Sequence, residues 1–154
     1  MSVASCQKEE EVVSCQLSEG KEVVSGQLLV VIRGKAVGPS YKDLVAWKKA
    51  MELVTEVYRT TERFPKEESY GLTSQLRRAA VSVPCNIAEG QGRLTKGEFH
   101  QFLGYARGSL LEMETQILIA GNLGYMQQNQ ASSLLELSAE VGRILNGLLA
   151  SITK

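Results

Sequence analysis

The chain of 154 residues has one histidine, His100, and three cysteines, Cys6, Cys15 and Cys85. No CxxC pair occurs, and the histidine stands far from each cysteine along the sequence, so zinc-ligand spacing is missing. Glu-x-x-His pairs, which metal-bearing four-helix bundles use, are missing too. Long apolar runs are equally scarce. The longest, at 28–32, has five residues, where a bilayer span needs about 20. The N-terminal stretch carries acidic residues and no basic segment ahead of an apolar block, so no secretory signal is read and cytoplasmic residence is expected. Neither sign of charge is in excess: 17 Lys and Arg stand against 17 Asp and Glu. That balance excludes a general basic coat for nucleic acid but leaves room for a local patch. Catalytic groupings are lacking as well. Serines are numerous, yet none has a recognisable base, and Glu112 and Glu114 are two apart, off a common helical face. The GQG at 90–92 follows a helix and has no Walker lysine, so it is not a phosphate loop. The expectation is a protein that is not an enzyme and holds neither cofactor nor metal.

Prolines number three, and each marks a change. Ahead of Pro39 lies a low-complexity leader, 1–38, in which EVVSCQL at 11–17 recurs as EVVSGQL at 22–28. Two copies are too few for a repeat array, and Val, Ser, Cys and Gly are weak helix formers. The VV pairs and LLVVI lean towards strand, but an isolated hairpin is marginal in water. An irregular, weakly structured leader is expected, bounded by Gly34, Gly38 and Pro39.

From 40 to 154 the periodicity becomes helical. Ser40 or Asp43 suits an N-cap. Leu44, Trp47, Met51, Val54 and Tyr58 then recur at steps of three and four, and Pro65 ends the segment near Phe64. A second helix over about 69–90 carries Leu72, Leu76, Ala80, Val83 and Ile87 on one face. Pro84 falls inside it and predicts a kink, because both stripes of the helix keep phase across the proline. Thr95 and Glu98 have capping-box spacing ahead of a third helix reaching about Leu123, with Phe99, Phe102, Ala106, Leu110, Met113, Ile117 and Ala120 in line. Gly104, Gly108 and Gly121 are candidate points of close helix approach, and Gly124 is a candidate C-cap. A fourth helix from about Ser132 to Ile152 presents Leu134, Leu137, Val141, Ile144, Leu148 and Ile152. Short connections favour antiparallel neighbours. The predicted fold is all-α: an up-down-up-down antiparallel four-helix bundle with a kinked second helix. Val45, Leu53, Leu103 and Leu111 lie outside the primary lines and widen the apolar surface, which points to self-association.

Two polar features stand out. Arg78, Ser82, Asn86 and Glu89 share a stripe on the second helix, at spacings of four and three. Such short polar groups suit a hydrogen-bonded network that holds register or the kink. Separately, Arg77, Arg78, Arg93, Lys96 and Arg107 outnumber Glu89 and Glu98 between 77 and 107. They form a candidate phosphate-contacting patch around the link between the second and third helices. No aromatics are interleaved with them for base stacking.

Three strings carry a family resemblance: YKDLVAWKKAMELVTEVY at 41–58, FPKEESYGLTSQLRRAAVSVPCNIAEGQGR at 64–93 and GSLLEMETQILIAGNLGYM at 108–126. With these the chain resembles the bacterial four-helix bundle family linked to intervening sequences in 23S ribosomal RNA genes, over about 41–150. Arg77, Arg78, Ser82, Asn86, Glu89 and Gly90 match its pattern, as do Gly108, Ser109, Glu112 and Glu114. The resemblance implies a homopentameric ring and no cofactor. A related group, the accessory proteins of diversity-generating retroelements, binds a reverse transcriptase and its RNA through a basic surface. The leading expectation is therefore a non-enzymatic oligomeric binding or scaffold protein. It would contact structured RNA, an RNA–protein complex or a nucleic-acid enzyme such as a reverse transcriptase, and no membrane. The alternative is a protein–protein adaptor with no nucleic-acid role.

Overall fold

β-branched pairs early in the chain do form strands. The computed structural model describes residues 22–24, 27–32, 35–37 and 40–152. Within the leader it has β1 (Glu22–Val24), β2 (Gln27–Ile32) and β3 (Lys35–Val37). They make an antiparallel sheet in sequence order, with Val23 opposite Leu28 and Val31 opposite Ala36. A third strand gives the VV and LLVVI segments the partner a lone hairpin lacks. Cys6, Cys15, the first copy of the repeat, Gly34, Gly38 and Pro39 lie outside the described residues. The leader, Met1–Gly38, and the segment Pro39–Lys154 are separate units.

In the second unit, Ser40 accepts from the Lys42 N–H while Asp43 bonds back to the Ser40 N–H, capping a short 3-10 turn, Tyr41–Asp43. Four helices follow: α1 (Val45–Thr61), α2 (Leu72–Gln91), α3 (Lys96–Asn122) and α4 (Gln128–Ile152). Each helix packs on the next, α4 closes back on α1, and α2 with α3 forms the most extensive pair. Gly90 lies against Phe99 and Phe102 while the earlier Ser82 meets the later Ser109, so α2 and α3 run antiparallel. α2 runs through Pro84 as one bent helix, since the ring removes one ladder bond and crowds the preceding turn. Its start is later than expected, because Glu68 from a 3-10 turn, Lys66–Ser69, caps the Leu72 N–H at 2.8 Å. α4 starts earlier than expected, by about one turn.

Leu76, Ala80, Val83 and Ile87 of α2 are buried as their spacing predicts, as are Ala106, Leu110, Met113, Ile117 and Ala120 of α3. α1 departs from expectation. Its buried line is Ala46, Ala50, Leu53, Val57 and Thr61, whereas Met51 is 40% and Tyr58 41% exposed. The buried face is thus turned by one residue from the line of largest apolar groups. Small Ala46 and Ala50 let the helix approach its neighbours, and the bulkier Trp47 and Val54 pack at the core's edge. Leu53 and Leu103, read as surplus, are core residues, while Val45 and Leu111 are exposed. Leu145 joins the core from α4.

The corners are tied by polar bonds. Thr95 accepts from the Glu98 N–H at 3.2 Å and starts α3. Gly124, at φ 73°, ends it in a left-handed turn, with the Tyr125 N–H donating to the Ala120 carbonyl. The Tyr125 hydroxyl donates to Glu68 at 3.2 Å, linking the α3–α4 corner to the start of α2. Desolvation, then the Glu68 carboxylate, raises the Tyr125 phenol above its ordinary range. Lys49 is also raised, by its bonds to Glu52 and Glu140. Close helix approach occurs at Gly90. A Cβ there would fall 2.7 Å from Phe102 Cβ and 2.9 Å from the Phe99 ring. Gly104 and Gly108 face open space.

Candidate functional site

Thr61 closes the buried line of α1, so the residue is 2% exposed, and its hydroxyl meets α2. There it accepts a 2.8 Å bond from Arg77 Nε, and the guanidinium lies 4.7 Å from the centroid of the Tyr58 ring. Stacking on Tyr58 and the bond to Thr61 hold Arg77 in one orientation. Arg78, the next residue, is exposed and makes no ion pair among the described residues. Both arginines line a cavity of about 610 Å³, together with Tyr58, Thr73, Ser74 and Glu112.

One turn further along α2, Ser82 meets Ser109 of α3 at 2.8 Å, and the Asn86 amide donates to the Ser82 hydroxyl at 2.9 Å and carbonyl at 2.8 Å. The expected four-residue network is therefore smaller and differently composed. Ser82 and Asn86 belong to it, and Ser109 completes it from α3. Arg78 turns to the cavity, and Glu89 pairs with Arg93. The helical spacing put all four on one stripe. A stripe seen on one helix says nothing of the partner helix, and long side chains at its ends reach elsewhere.

The five basic residues do not converge. Arg77 and Arg78 sit in the first half of α2, and Arg93 and Lys96 at the α2–α3 link. From Arg78 to the end of α2 is roughly 20 Å at the helical rise. Arg93 is engaged by Glu89 and stacks 4.5 Å from the Phe102 ring. Among the described residues, Lys96, Arg107 and Arg78 make no ion pair, so these three present unneutralised charge.

A second concavity, of about 350 Å³, lies between α1 and α2 and is almost wholly apolar. Tyr41, Trp47, Met51, Val54, Val81 and Pro84 line it, beside the exposed free thiol of Cys85. These include the large residues of α1 that helical periodicity assigned to the core. On the far side of α3, Leu111, Leu118, Ile119 and Leu123 are 42–55% exposed. No group of three or more His, Cys, Asp or Glu among the described residues is placed to hold a metal ion. None of their helices is long and apolar enough to cross a membrane.

Thr61 and Thr73 carry no signal in the sequence, and Tyr58 reads there only as a packing group. Tyr58 and Thr61 meet Arg77 across 16 or more residues of chain, and no local spacing announces that contact. The phase of α1 was the one available signal, since placing Ala46, Ala50, Leu53 and Val57 inward puts Thr61 opposite α2.

Compared with known proteins, residues 42–147 match the family model described as 23S rRNA-intervening sequence protein. The bundle is also similar to the 1.70 Å crystal structure of a protein of unknown function from the S23 ribosomal protein family of Bacteroides thetaiotaomicron. The TM-score is 0.64 at 19% identity, over 68% of this chain and 98% of that one. That likeness carries the fold. No curated protein matches the chain.

Proposed function

The chain belongs to the 23S rRNA-intervening sequence protein family, and from that premise we propose that it is a non-enzymatic, cytoplasmic binding protein that assembles as a homopentamer and contacts structured RNA or an RNA–protein complex. The observation that carries the RNA reading is the unneutralised charge of Arg78, Lys96 and Arg107 along the α2–α3 pair. Cations without internal partners are free to release counterions from phosphates, giving affinity with little base reading. Arg77 and Arg93 are already engaged inside the molecule, so they contribute less to such a strip than their position in sequence implies. A reverse transcriptase, the partner class of the retroelement relatives, is one form the RNA–protein complex takes. A reverse transcriptase gene beside this one favours it, and placement inside a ribosomal RNA operon favours ribosomal RNA.

Salt dependence tests the RNA reading. Binding to a structured RNA weakens as salt rises. Lys96→Ala with Arg107→Ala makes that dependence shallower, lowering the slope of log K against log salt by about 0.7–0.9 for each phosphate no longer neutralised. A salt-independent affinity, or a slope unchanged in the double variant, overturns it.

Assembly is supported by the apolar groove between α1 and α2 and by the exposed leucines of α3. Two unlike apolar faces on one chain suit a head-to-tail contact, which generates a ring when the rotation closes. The same groove favours the second reading, a protein adaptor without nucleic acid, in which partner capture survives the loss of Lys96 and Arg107.

A further inference from the structure

The cavity beside Arg77 is chemically unlike the others. Of two cavities between α1 and α4, one sets Glu56 and Glu62 against Arg59 and Arg63 and the other Glu56, Glu136 and Glu140 against Arg143, and the α1–α2 groove has almost no polar lining. The cavity of about 610 Å³ instead gathers Arg77, Arg78, Thr73 and Ser74, with Glu112 as the one carboxylate in its lining.

Arg77 is oriented before any ligand arrives. Its Nε bond to Thr61 and its stacking on Tyr58 use one edge and one face of the guanidinium. The two terminal nitrogens make no hydrogen bond to the described residues, and that remaining edge is the one that matches two oxygens of a single oxyanion. Arg78 adds a second cation without an ion-pair partner among the described residues. Thr73 is 8% exposed, and its hydroxyl oxygen has no hydrogen-bond partner among the described residues, an arrangement native proteins seldom leave unfilled.

The volume exceeds what an oxyanion alone fills and falls in the range of small-ligand sites. Glu112, whose Oε1 accepts from the Gln116 amide at 3.2 Å, repels a second anionic group and has a second carboxylate oxygen able to accept from a hydroxyl. We propose that the cavity binds a terminal phosphate monoester on a hydroxylated sugar. Arg77 and Arg78 take the phosphate oxygens, and Glu112 receives a sugar hydroxyl. Two sources carry that chemistry, the 5′ end of an RNA and a free nucleotide. The first rests on the RNA reading above; the phosphate site does not.

Calorimetric titration of the full chain distinguishes them, with uridine 5′-monophosphate, uridine, inorganic phosphate, and a short oligoribonucleotide bearing either a 5′-phosphate or a 5′-hydroxyl. The nucleotide binds and uridine does not. Arg78→Ala, which removes a side chain with no ion-pair partner among the described residues and leaves the fold intact by circular dichroism, weakens nucleotide binding about tenfold or more. Arg77→Lys, which keeps the charge and loses the fork, weakens it comparably. Glu112→Gln weakens the nucleotide while inorganic phosphate binds as well or better. Preference for the 5′-phosphorylated RNA identifies the RNA source. Nucleotide binding without that preference identifies a free nucleotide and keeps the site. If neither nucleotide nor inorganic phosphate binds, or if Arg78→Ala and Arg77→Lys leave nucleotide affinity unchanged, the proposal fails. Binding of both RNAs alike would then still support the Lys96 and Arg107 strip.

Discussion

Gly90 shows how a single missing methyl group sets the approach of two helices. An alanine there would add helix propensity of up to about 1 kcal/mol. It would also force Phe99 and Phe102 apart, since both lie under 3.0 Å from the added carbon, and overpacking of this kind costs about 1–3 kcal/mol. The crowding wins, because one of the two contacts is to Phe102 Cβ, which cannot swing aside as a chain end would. Gly90→Ala is expected to lower stability by about 1–2 kcal/mol in urea melts, whereas Gly104→Ala, facing open space, raises it. Tyr125 governs a different response. Its phenol is raised in the folded state by desolvation and by Glu68. The stability it contributes is therefore complete below the unfolded value of about 10 and is lost as pH rises through the folded one. Tyr125→Phe should flatten the fall in melting temperature above about pH 10, with a residual slope left by Lys49, which is raised in the same direction. An identical alkaline profile in variant and parent would show that the phenol carries no part of it.

Elements were legible where one helix face does one job. α2 and α3 each bury most of their expected apolar line, and Ser40, Thr95 and Gly124 stand at the ends their chemistry suits. α1 misled because its outer face is greasier than its inner one: Trp47, Met51, Val54 and Tyr58 outweigh Ala46 and Ala50 in any hydrophobic pattern, although the alanines are buried. Periodicity measures which residues are apolar, and a helix serving both a core and a surface groove presents two apolar lines. The polar network was half legible for a related reason. Ser82 and Asn86 are local neighbours, but Ser109 arrives from another helix. The Arg77–Thr61 bond is of the same kind. Spacing on one helix cannot reveal such pairs, which depend on how antiparallel helices come to lie side by side.

For the whole molecule, the apolar groove and the folded core make opposite demands on the same residues of α1. A chain that stayed single would leave Met51, Leu111, Leu118 and Leu123 in contact with water, each at 40–55% exposure; covering them against a second copy removes that penalty at about 25 cal/mol per Å² of apolar area. Met51→Glu separates assembly from folding, because the side chain lines the groove yet lies outside the buried line of α1. The variant is expected to keep its helical circular dichroism and to run in light scattering as a single chain, where the parent is expected to run as five. Removal of 1–38 should leave the parent's mass per assembly intact less the deleted residues, since the groove and the α3 leucines both belong to the second unit. A parent that scatters as a monomer would overturn the pentamer. A pentamer that survives Met51→Glu would move its interface off the groove and leave that surface to another partner.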